Sequence, residues 1–170
     1  WISRIPVPVE INASAHADDD FSKNKSIAEL TDWNIYSPVW APVSLEDQWL
    51  KLQDKDPFDY AKVERKIPAS KELKVSFDLK AGQNNKGTLQ IEFLDENGIA
   101  CSRMELTDDG IFRLKGGSRF ANMMKYEAGK VYHVEAVLST VDRNIQVYVD
   151  GKRVGLRMFY APVAAVERIV

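Results

Sequence analysis

Leu73, Val75, Phe77 and Leu79 alternate one for one with Lys74, Ser76, Asp78 and Lys80. This period of two restricts the chain more than any other feature. Successive side chains of an extended strand point to opposite faces, so the pattern makes a sheet with one buried side and cannot line a helix. It recurs at Leu89, Ile91 and Phe93; Met104 and Leu106 make another short strand, and Ile111, Phe112 and Leu114 lead to the Gly116-Gly117 break. It returns at Tyr132, Val134, Ala136 and Leu138, and again at Ile145, Val147 and Val149. Between the runs stand AGQNNKG, DENG (95–98), TDDG (107–110) and Asp150-Gly151. Their glycines supply the positive φ of tight reversals. Strands spaced by ~8–12 residues, with no long helical pattern and no internal repeat, specify an all-β antiparallel fold, a sandwich or a barrel.

The first third is less regular. WLKLQD alternates and reads as a strand, and so does AKVERKI (61–67), which Pro68 is expected to stop. Pro38 and Pro42 break the aromatic block from Asp32 to Asp54. SRFANMMKYEAGK (118–130) shows no clear period and reads as irregular. Residues 11–32 are polar, with three consecutive aspartates at 18–20, and read as a solvated linker. Within them Ser26 and Glu29 have the spacing of a capped helical turn. Ahead lies WISRIPVPV, an apolar run without a starting Met, and VERIV at the other end reads as mid-strand. The expected organisation is the end of a preceding domain plus linker over 1–31, then a sandwich domain over 32–170. The sequence itself reads as a fragment.

Composition narrows the class of partner. With 23 basic and 25 acidic side chains the formal net charge is −2, which gives no general attraction to nucleic acid. No apolar run approaches the ~20 residues needed to span a bilayer as a helix. The single cysteine, Cys101, excludes both an internal disulfide and a Cys-based zinc cluster.

Few residues suggest chemistry. Glu92 and Asp95 are three apart, so a strand aims them at opposite faces, and Asp95 and Glu96 fall in a turn. The only histidines are His16 in the linker and His133 on the polar side of a strand, and there is no G-x-S-x-G elbow. Cys101 is expected to be a buried thiol. Asp54, Asp56 and Asp59 in DKDPFDY put three carboxylates in one loop, a grouping suited to calcium and equally to turn formation. Trp33, Tyr36, Trp40, Phe58, Tyr60, Phe159 and Tyr160 offer flat apolar faces of the kind that stack on sugar rings. Tyr36, Trp40 and Tyr160 are the chosen carbohydrate-binding set; a seat against a neighbouring domain is the other use such rings can have.

YEAGKVYHVEAVLSTVDRNIQVYVDGKRV (126–154) resembles the late strands of concanavalin A-like and laminin-G-like jelly rolls, and KVSFDLKAGQNNKGTLQIEF (74–93) resembles their earlier paired strands. WISRIPVPV resembles the closing strand of a sialidase-like BNR-repeat propeller in bacterial polysaccharide-degrading proteins. Together these resemblances imply a jelly-roll accessory module, non-catalytic and able to bind glycan, at the C-terminal side of a propeller. They further imply a secreted, periplasmic or outer-surface protein of a Gram-negative (Bacteroidetes-type) bacterium. The implied partners are a glycan or the parent's own propeller, and the one implied cofactor is calcium at Asp54, Asp56 and Asp59. Two alternatives stay open: a jelly-roll glycoside hydrolase or lyase, and a laminin-G-type protein-interaction domain.

Overall fold

A computed structural model describes residues 17–170. The expectations for WISRIPVPV and for His16 fall outside these residues. The chain divides into two compact units, meeting in sequence at Pro68 and Ala69.

In the first unit β1 (Trp33–Tyr36) pairs antiparallel with β4 (Lys62–Ser70), matching Trp33 with Arg65 and Tyr36 with Lys62. A small hairpin joins β2 (Val43–Glu46) to β3 (Trp49–Leu52). Its two-residue turn is Asp47-Gln48, with φ of 50° and 69°. That is the geometry of a type I′ turn, here adopted without glycine. Pro68 does not stop β4, which continues to Ser70. Proline already has a φ compatible with extended backbone and lacks only the N–H, so an extended chain can pass through it.

The polar stretch before β1 is more structured than a linker. Short 3-10 turns form at Phe21–Lys23 and Ile27–Glu29. The first is capped by Asp20, whose Oδ1 accepts from Ser22 N–H at 3.0 Å. Ser26 makes no side-chain cap, while Glu29 does reach back to accept from Lys25 N–H at 3.0 Å. Leu30 is buried, and Phe21 packs against Trp33 with centroids 5.8 Å apart. Asp19 is not merely solvated: its carboxylate takes Arg65 Nε at 2.9 Å. Arg65 stands on the apolar side of β4, only 4% exposed, so it requires a counterion.

The second unit is a sandwich of two antiparallel sheets. One has the order β13-β6-β7-β8-β9. Its strands are β6 (Leu89–Leu94), β7 (Ala100–Leu106), β8 (Ile111–Gly116), β9 (Arg119–Lys125) and β13 (Val166–Ile169). The other has the order β12-β11-β10-β5, from β5 (Glu72–Lys80), β10 (Val131–Ser139), β11 (Asn144–Val149) and β12 (Lys152–Met158). Phe93, Met104 and Leu114 fill the core from the first sheet, and Val134, Leu138, Ile145 and Val147 from the second, all essentially inaccessible. Every one of these belongs to the alternating sets that the sequence displays. The segment expected to be irregular contains β9, an edge strand whose period is broken by a register shift opposite Phe112/Arg113. The antiparallel sandwich is as expected.

Candidate functional site

Loops 37–42 and 53–61 both leave the end of the β1/β4 ladder where Tyr36 faces Lys62. Lys55 N–H donates to Trp40 C=O at 2.9 Å, which ties the two loops together. Ser37 Oγ accepts from Val43 N–H at 2.8 Å and closes the proline-containing loop. Tyr36 lies beside Tyr60, centroids 5.4 Å apart and planes tilted by 47°. The Tyr36 hydroxyl donates to Asp59 Oδ1 at 3.2 Å. Accepting that bond, and by its charge, the Asp59 carboxylate raises the Tyr36 phenol above its ordinary pKa. Trp40 is 65% exposed and Phe58 95%, an unusual display for side chains that carry so much apolar area. One end of this unit thus presents four accessible rings with a carboxylate acceptor among them. Tyr36 and Trp40 were legible as candidates; the coupling of Tyr36 to Asp59 and Tyr60 depends on the β1/β4 register.

The three loop aspartates work locally. Asp54 Oδ1 accepts from Asp56 N–H at 2.9 Å, and Asp56 Oδ1 from Phe58 N–H at 2.9 Å. Asp59 Oδ1 accepts from Tyr60 N–H at 2.9 Å. Such side-chain-to-backbone bonds shape the turn. Among the described residues no group of three or more His, Cys, Asp or Glu is disposed to hold a metal.

Tyr160 belongs to the second unit, in the loop that follows β12, and its N–H donates to Cys101 C=O at 3.0 Å. Its ring carries Lys115 Nζ at 4.3 Å from the centroid. Burial, and then the charge of Glu92, raises its phenol pKa. Close by on the outer side of the sheet runs a charged ladder. Arg103 Nη2 meets Glu92 Oε1 at 2.6 Å, and Arg113 Nη2 meets the buried Glu105 at 2.8 Å. Gln90 Nε2 donates to Glu105 Oε1 at 3.1 Å. Burial works against the charge of Arg103, but the bond to Glu92 and the charges of Glu92, Tyr160 and Glu105 together outweigh it and hold the guanidinium pKa above its ordinary value. Arg113 also lies over Phe120, 4.5 Å from its centroid. The donors of this ladder are spent largely on one another.

The remaining candidates have structural partners. Glu92 is the counterion of Arg103, and Asp95 Oδ1 accepts from Asn97 and Ile99 N–H at 2.9 and 2.8 Å within its turn. His133 is exposed on β10, with Nδ1 2.8 Å from Asp78 Oδ1 on β5. Cys101 is fully buried, and burial pushes its thiol up to about 12.

The two antiparallel sheets of the second unit define the chain as a β-sandwich protein, and the first unit carries the exposed rings. Residues 33–170 match the model of the family "Sialidase-like, CBM domain", and the chain belongs to that family of carbohydrate-binding modules. A solved structure of a sialidase is 88% identical, with a TM-score of 0.94 over 98% of this chain. The chain spans only 15% of that sialidase's length. Sheep galectin-11, solved with glycerol, is 16% identical over 62% of this chain and 85% of its own, at a TM-score of 0.49. A heptameric SAP-like pentraxin from Limulus polyphemus is 24% identical over 61% of this chain and 52% of its own, at a TM-score of 0.44. These last two likenesses are too slight to argue from. No curated protein matches the chain.

Proposed function

We propose that this chain is the non-catalytic, glycan-binding accessory module of a secreted bacterial sialidase-like protein. The sugar is held at the ringed end of the first unit. Trp40 and Phe58 supply flat apolar faces for a pyranose ring, and Tyr36, Tyr60 and Asp59 supply polar atoms for its hydroxyls. The observation that carries this reading is the exposure of Trp40 and Phe58, at 65% and 95%, on a chain of a carbohydrate-binding family. The sandwich is of the concanavalin A/laminin-G kind, and a BNR propeller is the neighbouring domain.

A glycan array followed by calorimetric titration tests the proposal. Wild-type chain should bind at least one neutral oligosaccharide, and Trp40→Ala should weaken it at least tenfold with thermal stability unchanged. Absence of binding to every sugar, or equal binding by Trp40→Ala, would overturn it. A second use of the same rings is favoured by one fact: this chain is 15% of the sialidase it matches. Exposed Val39, Trp40 and Phe58 would then seat against another part of the parent. In that case Trp40→Ala loosens association with the remaining domains, and the array stays blank.

A further inference from the structure

The four-stranded sheet of the second unit ends in two edge strands, β5 and β12, each with a neighbour on one side only. They are dressed differently. β5 carries both signs, Glu72, Lys74, Asp78 and Lys80. Two of these are satisfied on β10, where Lys74 meets Glu135 at 2.8 Å and Asp78 meets His133 at 2.8 Å. β12 carries Lys152, Arg153 and Arg157 and no carboxylate. Across a groove of about 360 Å³ lies β9, the edge of the other sheet, with Arg119 and Lys125 and again no carboxylate. Among the described residues none of these five cations forms an ion pair. They make a local positive potential on a chain whose overall charge is −2.

The two rows of β12 side chains offer different surfaces, because residues opposite one another in a ladder share a face. A register shift between Val147 and Tyr148 pairs Arg153 with Tyr148, so Arg153 stands on the outer face of the sheet. Leu156 and Met158, paired with Gln146 and Asn144, stand there too and are 45% and 58% exposed. Gly155 and Arg157 pair with the core residues Val147 and Ile145 and stand on the groove face. On that face the strand is tightly seated. A Cβ on Gly155 would stand 2.7 Å from Met123 Sδ, and one on Gly116 would stand 2.8 Å from Arg157 Cβ. The stem of Arg157 thus rests on the Gly116 backbone. Its Nη1 donates to Leu156 C=O at 2.9 Å, which leaves most of its five donors for a ligand. An edge held in place this way needs little rearrangement to accept a further strand.

We infer that β12 is the docking edge for an extended acidic peptide of a partner protein, which adds to the four-stranded sheet as a further strand. Main-chain hydrogen bonds give such an addition its affinity, and alternate side chains give it selectivity. Along the added strand one row lies beside Leu156 and Met158 and calls for apolar residues. The other lies over the groove, where the Arg157 fork matches a carboxylate. A second copy of this chain does not suit the edge. Paired antiparallel about Gly155, β12 and its copy would set Arg153 opposite Arg157 twice, and like charges directly opposite destabilise a ladder. Charge therefore blocks self-pairing and admits an acidic partner. The inference is independent of the glycan-binding reading and uses none of its residues.

The test is calorimetric titration of the whole chain with an alternating Glu-Val heptapeptide, blocked at both ends. The controls are its Lys-Val counterpart and a Glu-Val peptide with proline at the centre, since proline cannot complete the ladder. The Glu-Val peptide should bind at least tenfold more tightly than either control, and more weakly as salt is raised. Amide exchange should slow on β12 and stay unchanged in loops 37–42 and 53–61. Arg157→Gln should weaken the binding at least threefold with an unchanged thermal melt, while Trp40→Ala binds as wild type does. Absence of binding would overturn the inference, as would equal binding of the Lys-Val peptide or undiminished binding by Arg157→Gln. Equal binding of the proline peptide would show a charged surface without strand addition and overturn it too. So would pairing of the chain with its own copy through β12, read as slowed β12 exchange at raised protein concentration with no peptide present.

Discussion

Asp19 offers a sharp test of how the first unit is held. Arg65 is 4% exposed, and its Nε meets Asp19 Oδ2 at 2.9 Å. Asp32 Oδ2 lies 3.3 Å from Nη2, and the carbonyls of Lys66 and Asp32 accept from Nη1 at 3.3 and 3.4 Å. Removing one partner of a fully buried pair costs about 3–5 kcal/mol, because the other charge stays buried. Asp19 is itself 27% exposed, and Asp32 still faces the guanidinium in Asp19→Ala. Both facts reduce the expected loss to about 2 kcal/mol, near the value of one charge-assisted hydrogen bond. The urea midpoint should fall with an unchanged slope, and Tm should drop by about 4–8 °C. Asp19→Ala/Asp32→Ala should cost more than the sum of the single changes, since both of these carboxylates face the same buried guanidinium. Arg65→Leu should be milder than the double variant, because it removes the charge that needs compensation. If Asp19→Ala stays within about 0.5 kcal/mol of wild type, the level of an ordinary surface change, the acidic run is a solvated tether after all.

Two further changes probe the framework. Cys101, with its thiol at about 12, should resist a thiol reagent at pH 8 in the native chain and react in urea. The folded chain keeps that proton where the unfolded chain gives it up, near pH 8.5. Cys101 therefore lowers stability as pH rises from about 9 toward 12, by roughly 1.4 kcal/mol per unit, and denaturant melts of a Cys101→Ala variant should show a correspondingly shallower decline. Gln48 holds a φ of 69° in the β2–β3 turn. Gln48→Gly should stabilise the chain by up to about 1 kcal/mol in urea melts, since glycine adopts that region without strain; destabilisation would show that the Gln48 side chain has a role.

The strands of the second unit were legible because burial follows the period of two along β5, β10 and β11 of the four-stranded sheet. Leu73 to Leu79 on β5 and Tyr132 to Leu138 on β10 are paired residue for residue, Phe77 with Val134 and Val75 with Ala136. β9 was not legible: it has a partner on one side only, and its register shift sends Asn122, Met123 and Met124 out of phase. β4 runs on past Pro68 to Ser70, because a missing N–H does not by itself end an extended strand. Arg65 was invisible as a buried residue, since its counterions lie 33 and 46 positions away. The same applies to the sites. Tyr36 and Trp40 declare themselves as aromatic residues near prolines, but Asp59 joins Tyr36 only through the ladder.

The aspartates that shape loop 53–61 have one more consequence. Each already holds a backbone N–H, so the loop that carries Phe58 and Tyr60 is set before any ligand arrives. A receptor that is rigid beforehand loses little freedom on binding, and even weak stacking contacts then show as affinity. The scaffold and the recognition surface are thereby uncoupled. The aspartates fix the frame while the aromatic positions can be exchanged, which makes this loop a ready mount for changing the preferred ligand without rebuilding the fold.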